Sequence, residues 1–362
     1  MNKVKKIIVS AIFVLAIFAV AVGHILLPDG DLSQAERRHL AQVPKISAKA
    51  VFSGDYFSDW EEYLLDQFPG RQEFRTIKAV FQKDVLRRKD NNGLYEAEGH
   101  LMKLEPLYQQ GQARMAVKKF NSILQAHPEL RAAYYTVIPD KNYFLAEKNG
   151  YPTMDYDTLL QDAAAIKGQY IDIFPYLSAD NYYRTDSHWR QEKILPVAEA
   201  LAQAMGVTIG GADDYREETR DGFVGVYAGQ AALPVKPELL SILQSAVTDD
   251  AVVESLEHAD MKTVYNWDKF TGMDPYDVYL GGAEALLTVK NPHAAVERHL
   301  ILFRDSFGSS LAPLLLSGYS QVTLVDLRYI PTATLDQYVD FTDADVLFCY
   351  NTTLFNFGAS LK

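Results

Sequence analysis

Hydrophobic and polar positions divide this chain into three stretches of different character. An almost unbroken apolar run goes from Ile7 to Val22 and resumes at Ile25, Leu26 and Leu27, with Lys3, Lys5 and Lys6 ahead of it. Its length nearly matches a bilayer core, and the lysines are expected to stay on the cytoplasmic side, which puts everything after about residue 28 outside. Ala19 and Ala21 also form a small-x-small cleavage pattern, so the segment reads as a signal anchor or as a signal peptide, residues 1–28.

After the Pro28-Asp29-Gly30 break, residues 29–92 show apolar positions at helical spacing and predict a helical stalk or lid. The turn-forming Asp90-Asn91-Asn92-Gly93 ends it. From residue 93 to 362 helix-like and strand-like runs alternate. Gln112–Gln125 and Asp155–Lys167 read as helices, and Ala133–Ile138 and Tyr170–Phe174 as buried strands. A helix is also expected from near Gln191. Leu300–Phe303, Val322–Asp326 and Val346–Tyr350 read as further strands, with a helix at Phe307–Leu316. This alternation predicts an α/β domain with a largely parallel sheet. Residues 206–296 are less regular and are expected to form an insertion or long loops.

Composition narrows the chemistry. The 35 Lys and Arg against 47 Asp and Glu leave a formal net charge of −12, so attraction to a phosphate backbone, and hence to nucleic acid, is not expected. Cys349 is the only cysteine, which excludes an intramolecular disulfide and leaves stability to core packing. Neither a metal-ligand constellation nor a Gly-rich phosphate loop stands out, and no cofactor is implied.

Two stretches carry candidate chemistry. In Leu300-Ile301-Leu302-Phe303-Arg304-Asp305-Ser306-Phe307-Gly308 a strand runs into a turn and a helix, which places Ser306 at the C-terminal edge of a parallel sheet and at a helix N-terminus. Ser306 is thus either a nucleophile beside amides that stabilise an oxyanion or, with Asp305, a plain helix cap. In Tyr182-Tyr183-Arg184-Thr185-Asp186-Ser187-His188-Trp189, Asp186 and His188 stand two apart, so in an extended segment both leave from one face. A carboxylate so placed can orient an imidazole that activates a serine; a surface or metal-ligand role is the alternative. Lys141, after the strand end Ile138-Pro139, is a candidate for positioning a substrate carboxylate or is simply solvated. Arg328 and Tyr329 follow Asp326 at another strand end and either line the site or hold a loop through an Asp–Arg pair.

The two stretches together resemble the DHHW proteins and the alginate O-acetylation proteins of the AlgX and AlgJ type, whose fold is SGNH-hydrolase-like. Further matching pieces are Glu36-Arg37-Arg38-x-Leu40 with Pro44, Asp66-Gln67-Phe68-Pro69-x-Arg71, Val137-Ile138-Pro139-Asp140-Lys141, Asp274-Pro275-Tyr276-Asp277 with Gly281-Gly282, and Asp326-Leu327-Arg328-Tyr329. The resemblance implies a three-layer catalytic domain in which Asp186, His188 and Ser306 are the catalytic residues, in reversed chain order relative to ordinary SGNH esterases. Ser187 stands where the family name has a second His and is expected to point away from its neighbours. Oxyanion-hole candidates are the Ser306 N–H, Asn351 and Gly225; Asn351 reads equally as a strand-end turn residue. The function that the resemblance implies is that of an O-acyltransferase or esterase acting on bacterial cell-surface polysaccharide. A multispanning membrane O-acyltransferase would then be the partner that supplies the acyl group. The rival expectation is a non-catalytic polysaccharide-binding or scaffold protein that stacks sugars on its 22 Tyr, 18 Phe and 3 Trp.

Overall fold

The computed structural model describes residues 3–362, which form two compact units: residues 3–92 with Ala228–Pro234, and Gly93–Tyr227 with Val235–Lys362.

In the first unit, helix α1 (Lys3–Leu26) carries the apolar run. A two-residue antiparallel pair follows, β1 (Leu32–Ser33) with β2 (Arg38–His39), and then helices α2 (Ala48–Ser53), α3 (Asp55–Asp66) and α4 (Arg71–Val80). Helices occupy residues 48–80 of this stretch, and the breaks before α3 and α4 fall at Gly54 and Gly70, both at positive φ, 90° and 72°, where a side chain is strained.

The second unit begins with a hairpin, β3 (Leu94–Ala97) and β4 (His100–Lys103). The later strands are β5 (Ala132–Ile138), β6 (Gln169–Tyr170), β7 (Arg216–Phe223), β8 (Glu238–Gln244), β9 (Val252–Ser255), β10 (Leu286–Lys290), β11 (His299–Arg304), β12 (Gln321–Val325) and β13 (Asp345–Asn351). Its helices are α5 (Gln110–Ala126), α6 (Lys141–Leu145), α7 (Tyr156–Ala163), α8 (Leu195–Met205), α9 (Val226–Ala231, which crosses into the first unit), α10 (Ala246–Asp250), α11 (Phe307–Leu315) and α12 (Thr352–Phe355).

Seven strands make one sheet in the order β6-β5-β13-β11-β12-β10-β9. The first five are parallel, and β10 and β9 add antiparallel pairings at the far edge. The strand period of two turns Leu300 and Leu302 to one face and Ile301 and Phe303 to the other. The first pair packs with Val197 and Leu201 of α8 and Leu311 of α11. The second packs with Val117 and Phe120 of α5 and Leu159 of α7. Both faces are covered by helices, so the domain is the three-layer α/β fold with a largely parallel sheet expected of an SGNH-like protein.

Two local expectations are corrected. Residues 170–174 do not form a strand beyond Tyr170, because the Asp172 carboxylate accepts the Phe174 N–H at 3.0 Å and Pro175 opens a 3₁₀ turn. The irregular stretch 206–296 supplies not only loops but also the hairpin of β7 with β8, and β9 and β10 of the main sheet.

Candidate active site

The three central parallel strands β5, β13 and β11 end in register, Ile138 opposite Asn351 and Arg304 opposite Cys349, so their C-terminal ends form one edge. Ser306 stands there as the first residue before α11. Its side chain does not cap the helix. Asp305 does, accepting the Phe307 N–H at 3.0 Å on one carboxylate oxygen and the Asn351 N–H at 2.8 Å on the other. The capping alternative therefore belongs to Asp305, whose pKa burial pushes up while those two amides oppose the rise. The Ser306 hydroxyl is left to lie 2.6 Å from His188 Nε2. A side chain at Gly308 would strike Arg304 Cβ, so glycine there lets helix and strand approach closely.

His188 arrives from a tight hairpin, closed by a bridge between Tyr182 and Trp189 and by the Tyr183 N–H donating to the His188 carbonyl at 3.0 Å. Asp186 and His188 thus converge because the chain turns, not because it is extended. Asp186 Oδ1 lies 2.6 Å from His188 Nδ1 and accepts the His188 N–H at 3.1 Å, and its Oδ2 accepts the Val226 N–H at 2.8 Å. The carboxylate is fully buried and the His188 side chain is 10% exposed. One imidazole therefore bridges a buried carboxylate and a serine hydroxyl. Ser187 does not point away: its Oγ is 3.4 Å from Asp186 Oδ1 and 3.5 Å from His188 Nδ1.

The other candidates occupy different places. Gly225 donates its N–H to Thr185 Oγ at 2.9 Å, and a Cβ on it would collide with the Thr185 carbonyl and with Asp186 Cβ. It lets the chain pass against the back of Asp186 and is not an oxyanion donor. Asn351 caps α12 through Oδ1, 3.0 Å from the Thr353 N–H, and its Nδ2 donates to the Ile138 carbonyl at 3.1 Å, so the turn-residue reading holds. Lys141 is neither solvated nor facing a substrate. Its buried ammonium donates to the carbonyls of Leu101, Tyr183 and Arg184 at 2.6, 3.0 and 3.4 Å, and burial pushes its pKa down to about 7. Arg328 forms a two-pronged pair with Asp326, Nε at 2.9 Å and Nη2 at 2.6 Å, and stacks its guanidinium 5.4 Å from the half-exposed Tyr329 ring.

Sequence reasoning missed the residues behind the imidazole. The Tyr276 ring stacks on His188 with centroids 4.0 Å apart and planes 10° off parallel, and its hydroxyl donates to Ser310 Oγ at 2.7 Å. Trp189 Nε1 donates to the same Ser310 Oγ at 2.8 Å, and Gln191 Nε2 to the Ser310 carbonyl at 2.8 Å. These bonds tie α11, which carries Ser306, to the hairpin that carries His188. The Asp274-Pro275-Tyr276-Asp277 piece was the available signal for Tyr276.

Known proteins share this region. The model of the DHHW protein family matches residues 173–325, a stretch containing Asp186, His188 and Ser306. No curated protein matches the chain. Among solved structures, a DHHW family protein from Eubacterium siraeum superposes with a TM-score of 0.60 at 19% identity, covering 75% of this chain and 93% of that one. Bacillus cereus PatB1 with a sulfonyl adduct gives 0.56 at 16% identity, with 72% and 97% covered. The O-acetyltransferase domain of Pseudomonas putida AlgJ gives 0.42 at 13%, with 73% and 92% covered, too low to add to the fold assignment. The chain is therefore similar to the DHHW proteins across residues 173–325 and has the fold of the Eubacterium siraeum member and of PatB1.

Proposed function

We propose that this protein is an extracytoplasmic serine-dependent O-acyltransferase or esterase that handles acetyl groups of cell-surface polysaccharide. The observation that carries the reading is the single imidazole lying 2.6 Å from both the Asp186 carboxylate and the Ser306 hydroxyl. A serine hydroxyl is a weak nucleophile at neutral pH and needs a base within hydrogen-bond reach, which is the place His188 holds.

In the first half-reaction His188 Nε2 takes the Ser306 Oγ proton as Oγ bonds to the acyl carbonyl carbon. The resulting imidazolium is stabilised by Asp186. The oxyanion forms beside the Ser306 N–H, an amide at the head of α11 where the helix dipole favours negative charge. Collapse breaks the bond to the leaving oxygen, which receives the proton from His188 and departs, leaving acyl-Ser306. In the second half-reaction a sugar hydroxyl or water gives its proton to His188 and attacks the acyl carbon; the proton returns to Ser306 as it leaves.

Support for a carbohydrate acceptor comes from the resemblance of the Asp186–His188 and Ser306 stretches to the alginate O-acetylation proteins. One fold relative, PatB1, is known with a sulfonyl adduct. The acyl donor is then a multispanning membrane O-acyltransferase, and α1 holds the protein in the membrane with the site outside. The test is p-nitrophenyl acetate turnover with and without an oligosaccharide acceptor. Faster nitrophenol release together with acetylated sugar identifies a transferase, and release insensitive to acceptor an esterase. Absence of any turnover that depends on Ser306 leaves the binding-protein alternative standing.

A further inference from the structure

Two sequence pieces left unused by the active site, Glu36–Leu40 and Asp66–Arg71, come together in the first unit, at the foot of α1. Gln67 bridges the start and end of the segment just after α1: its Oε1 accepts the Gly30 N–H at 2.9 Å, and its Nε2 reaches the carbonyls of Gly30 and Ala41, both at 2.9 Å. Asp66 takes Arg38 at 2.7 and 2.5 Å and the Ala41 N–H at 2.9 Å. Glu36 takes Arg71 and Arg75, each at 2.9 Å. A polar network thus locks the α3–α4 corner to the chain leaving α1.

The same corner touches α1 itself. A Cβ built on Gly23 would lie 3.2 Å from the Pro69 ring, so glycine permits a close approach, and the His24 ring meets the Tyr63 ring edge-on at 5.5 Å. Tyr63 in turn donates to Asp29 at 3.1 Å.

These contacts fix a depth. At about 1.5 Å per residue, the apolar stretch Ile7–Leu27 matches a hydrocarbon core of about 30 Å, so Gly23 lies roughly one turn, about 5 Å, inside its outer end. Pro69 meets α1 at that level, with Leu65 four residues before it, Phe74 five residues after it and Ile77 one turn further along α4. This corner leaves Leu65 62%, Phe74 57% and Ile77 63% exposed. Phe68 packs edge-on to Phe74 at 5.6 Å, and Lys78 and Lys83 stand exposed beside the stripe. Exposed apolar side chains beside lysines, next to the outer end of a spanning helix, are what an interfacial segment presents to a bilayer.

We propose that Leu65, Phe74 and Ile77 form a second membrane contact, a foot seated at the boundary between acyl chains and headgroups beside α1, with phospholipid as its partner. It rests on the reading that α1 spans the bilayer. The motif pieces around Glu36, Asp66 and Arg71 then hold the foot at its depth.

The test uses the full chain in vesicles of phosphatidylethanolamine and phosphatidylglycerol. Spin labels are placed singly through Leu65→Cys, Phe74→Cys, Ile77→Cys, Gln72→Cys and Phe13→Cys; buried Cys349 stays in place, with the unsubstituted chain as the labelling control. The foot predicts that labels at 65, 74 and 77 collide several-fold more with oxygen than with a water-soluble nickel chelate, as the label at 13 does, while 72 shows the reverse. Nickel-accessible labels at 65, 74 and 77 with a lipid-facing label at 13 overturn the foot and leave the anchor. Labels at 65, 74 and 77 shielded from both reagents overturn it in favour of a protein neighbour. A water-exposed or missing label at 13 removes the anchor reading, and the foot with it.

Discussion

The second unit contains two clusters of serine, histidine and a buried carboxylate, and they are arranged oppositely. At the first, His188 lies 2.6 Å from Asp186 through Nδ1 and 2.6 Å from Ser306 through Nε2. At the second, His258 Nδ1 lies 2.6 Å from Glu284 Oε1, but Ser255 donates its hydroxyl to Glu284 Oε2 at 2.7 Å. Ser255 Oγ also accepts the N–H groups of Glu257 and His258, at 3.1 and 2.9 Å, as a turn-capping residue does. With its hydroxyl given to a carboxylate, Ser255 has no imidazole to take its proton. The His258 side chain is 60% exposed, whereas His188 is enclosed by Tyr276 and Phe307. Of the two sets of carboxylate, imidazole and hydroxyl, only the first has the imidazole between the other two.

The largest expected effect lies on Ser306 and His188. Ser306→Ala and His188→Ala should each lower ester turnover on the order of 10⁴-fold or more, and the double variant should be scarcely worse than either, since a nucleophile and its base act as one unit. Ser255→Ala should leave turnover unchanged. Additive losses, or a comparable loss in Ser255→Ala, erase the distinction drawn between the clusters.

A smaller effect is expected from Gly225→Ala. Its Cβ has no room against Thr185 and Asp186, so either the Asp186 side chain moves or the hairpin backbone at Thr185 does. The cost in stability should be about 1–3 kcal/mol, as for other overpacked sites. Turnover should fall with it, while Gly93→Ala, where nothing lies within 4 Å but φ is +72°, should cost stability without touching turnover.

A pH dependence sharpens the surroundings of Asp186. The Lys141 ammonium has its pKa lowered by burial, which the charge of Asp186 opposes, from an ordinary 10.5 to about 7. Between those values the unfolded chain binds more protons than the folded one, so stability rises with pH across that window and the contribution is lost as pH falls toward 7. Denaturant midpoints of the wild type and Lys141→Met, followed from pH 7 to 10, should diverge in favour of the wild type as pH rises. Parallel curves would mean that Lys141 keeps its usual proton affinity. The least effect on turnover belongs to His258→Ala, which should leave it unchanged, while loss of a partner of the buried Glu284 carboxylate should cost about 1–3 kcal/mol of stability.

The difference between the clusters also bears on what a sequence discloses. Ser306 was legible because an apolar strand, a turn and an apolar helix succeed one another in the chain. Asp186 and His188 were legible because they are two residues apart, although the geometry that joins them is a hairpin and not an extended strand. Tyr276 and Ser310 reach the imidazole and its hairpin only through long-range packing, which no local period encodes. Lys141 stands out in the sequence by its place after a strand end and Gly225 through the resemblance, but a close backbone approach and three carbonyls around an ammonium exist only once the chain is folded. The edge strands β9 and β10 were hidden because four and five residues, flanked by turns, leave too short a pattern to separate from loop.

The most direct test of the central claim is to treat the protein with a fluorophosphonate and map the modified residue by peptide mass spectrometry. The account predicts one adduct, on Ser306, formed rapidly in the wild type and in Ser255→Ala and suppressed in His188→Ala. An adduct on another residue, or labelling of Ser306 at the same rate without His188, would contradict it.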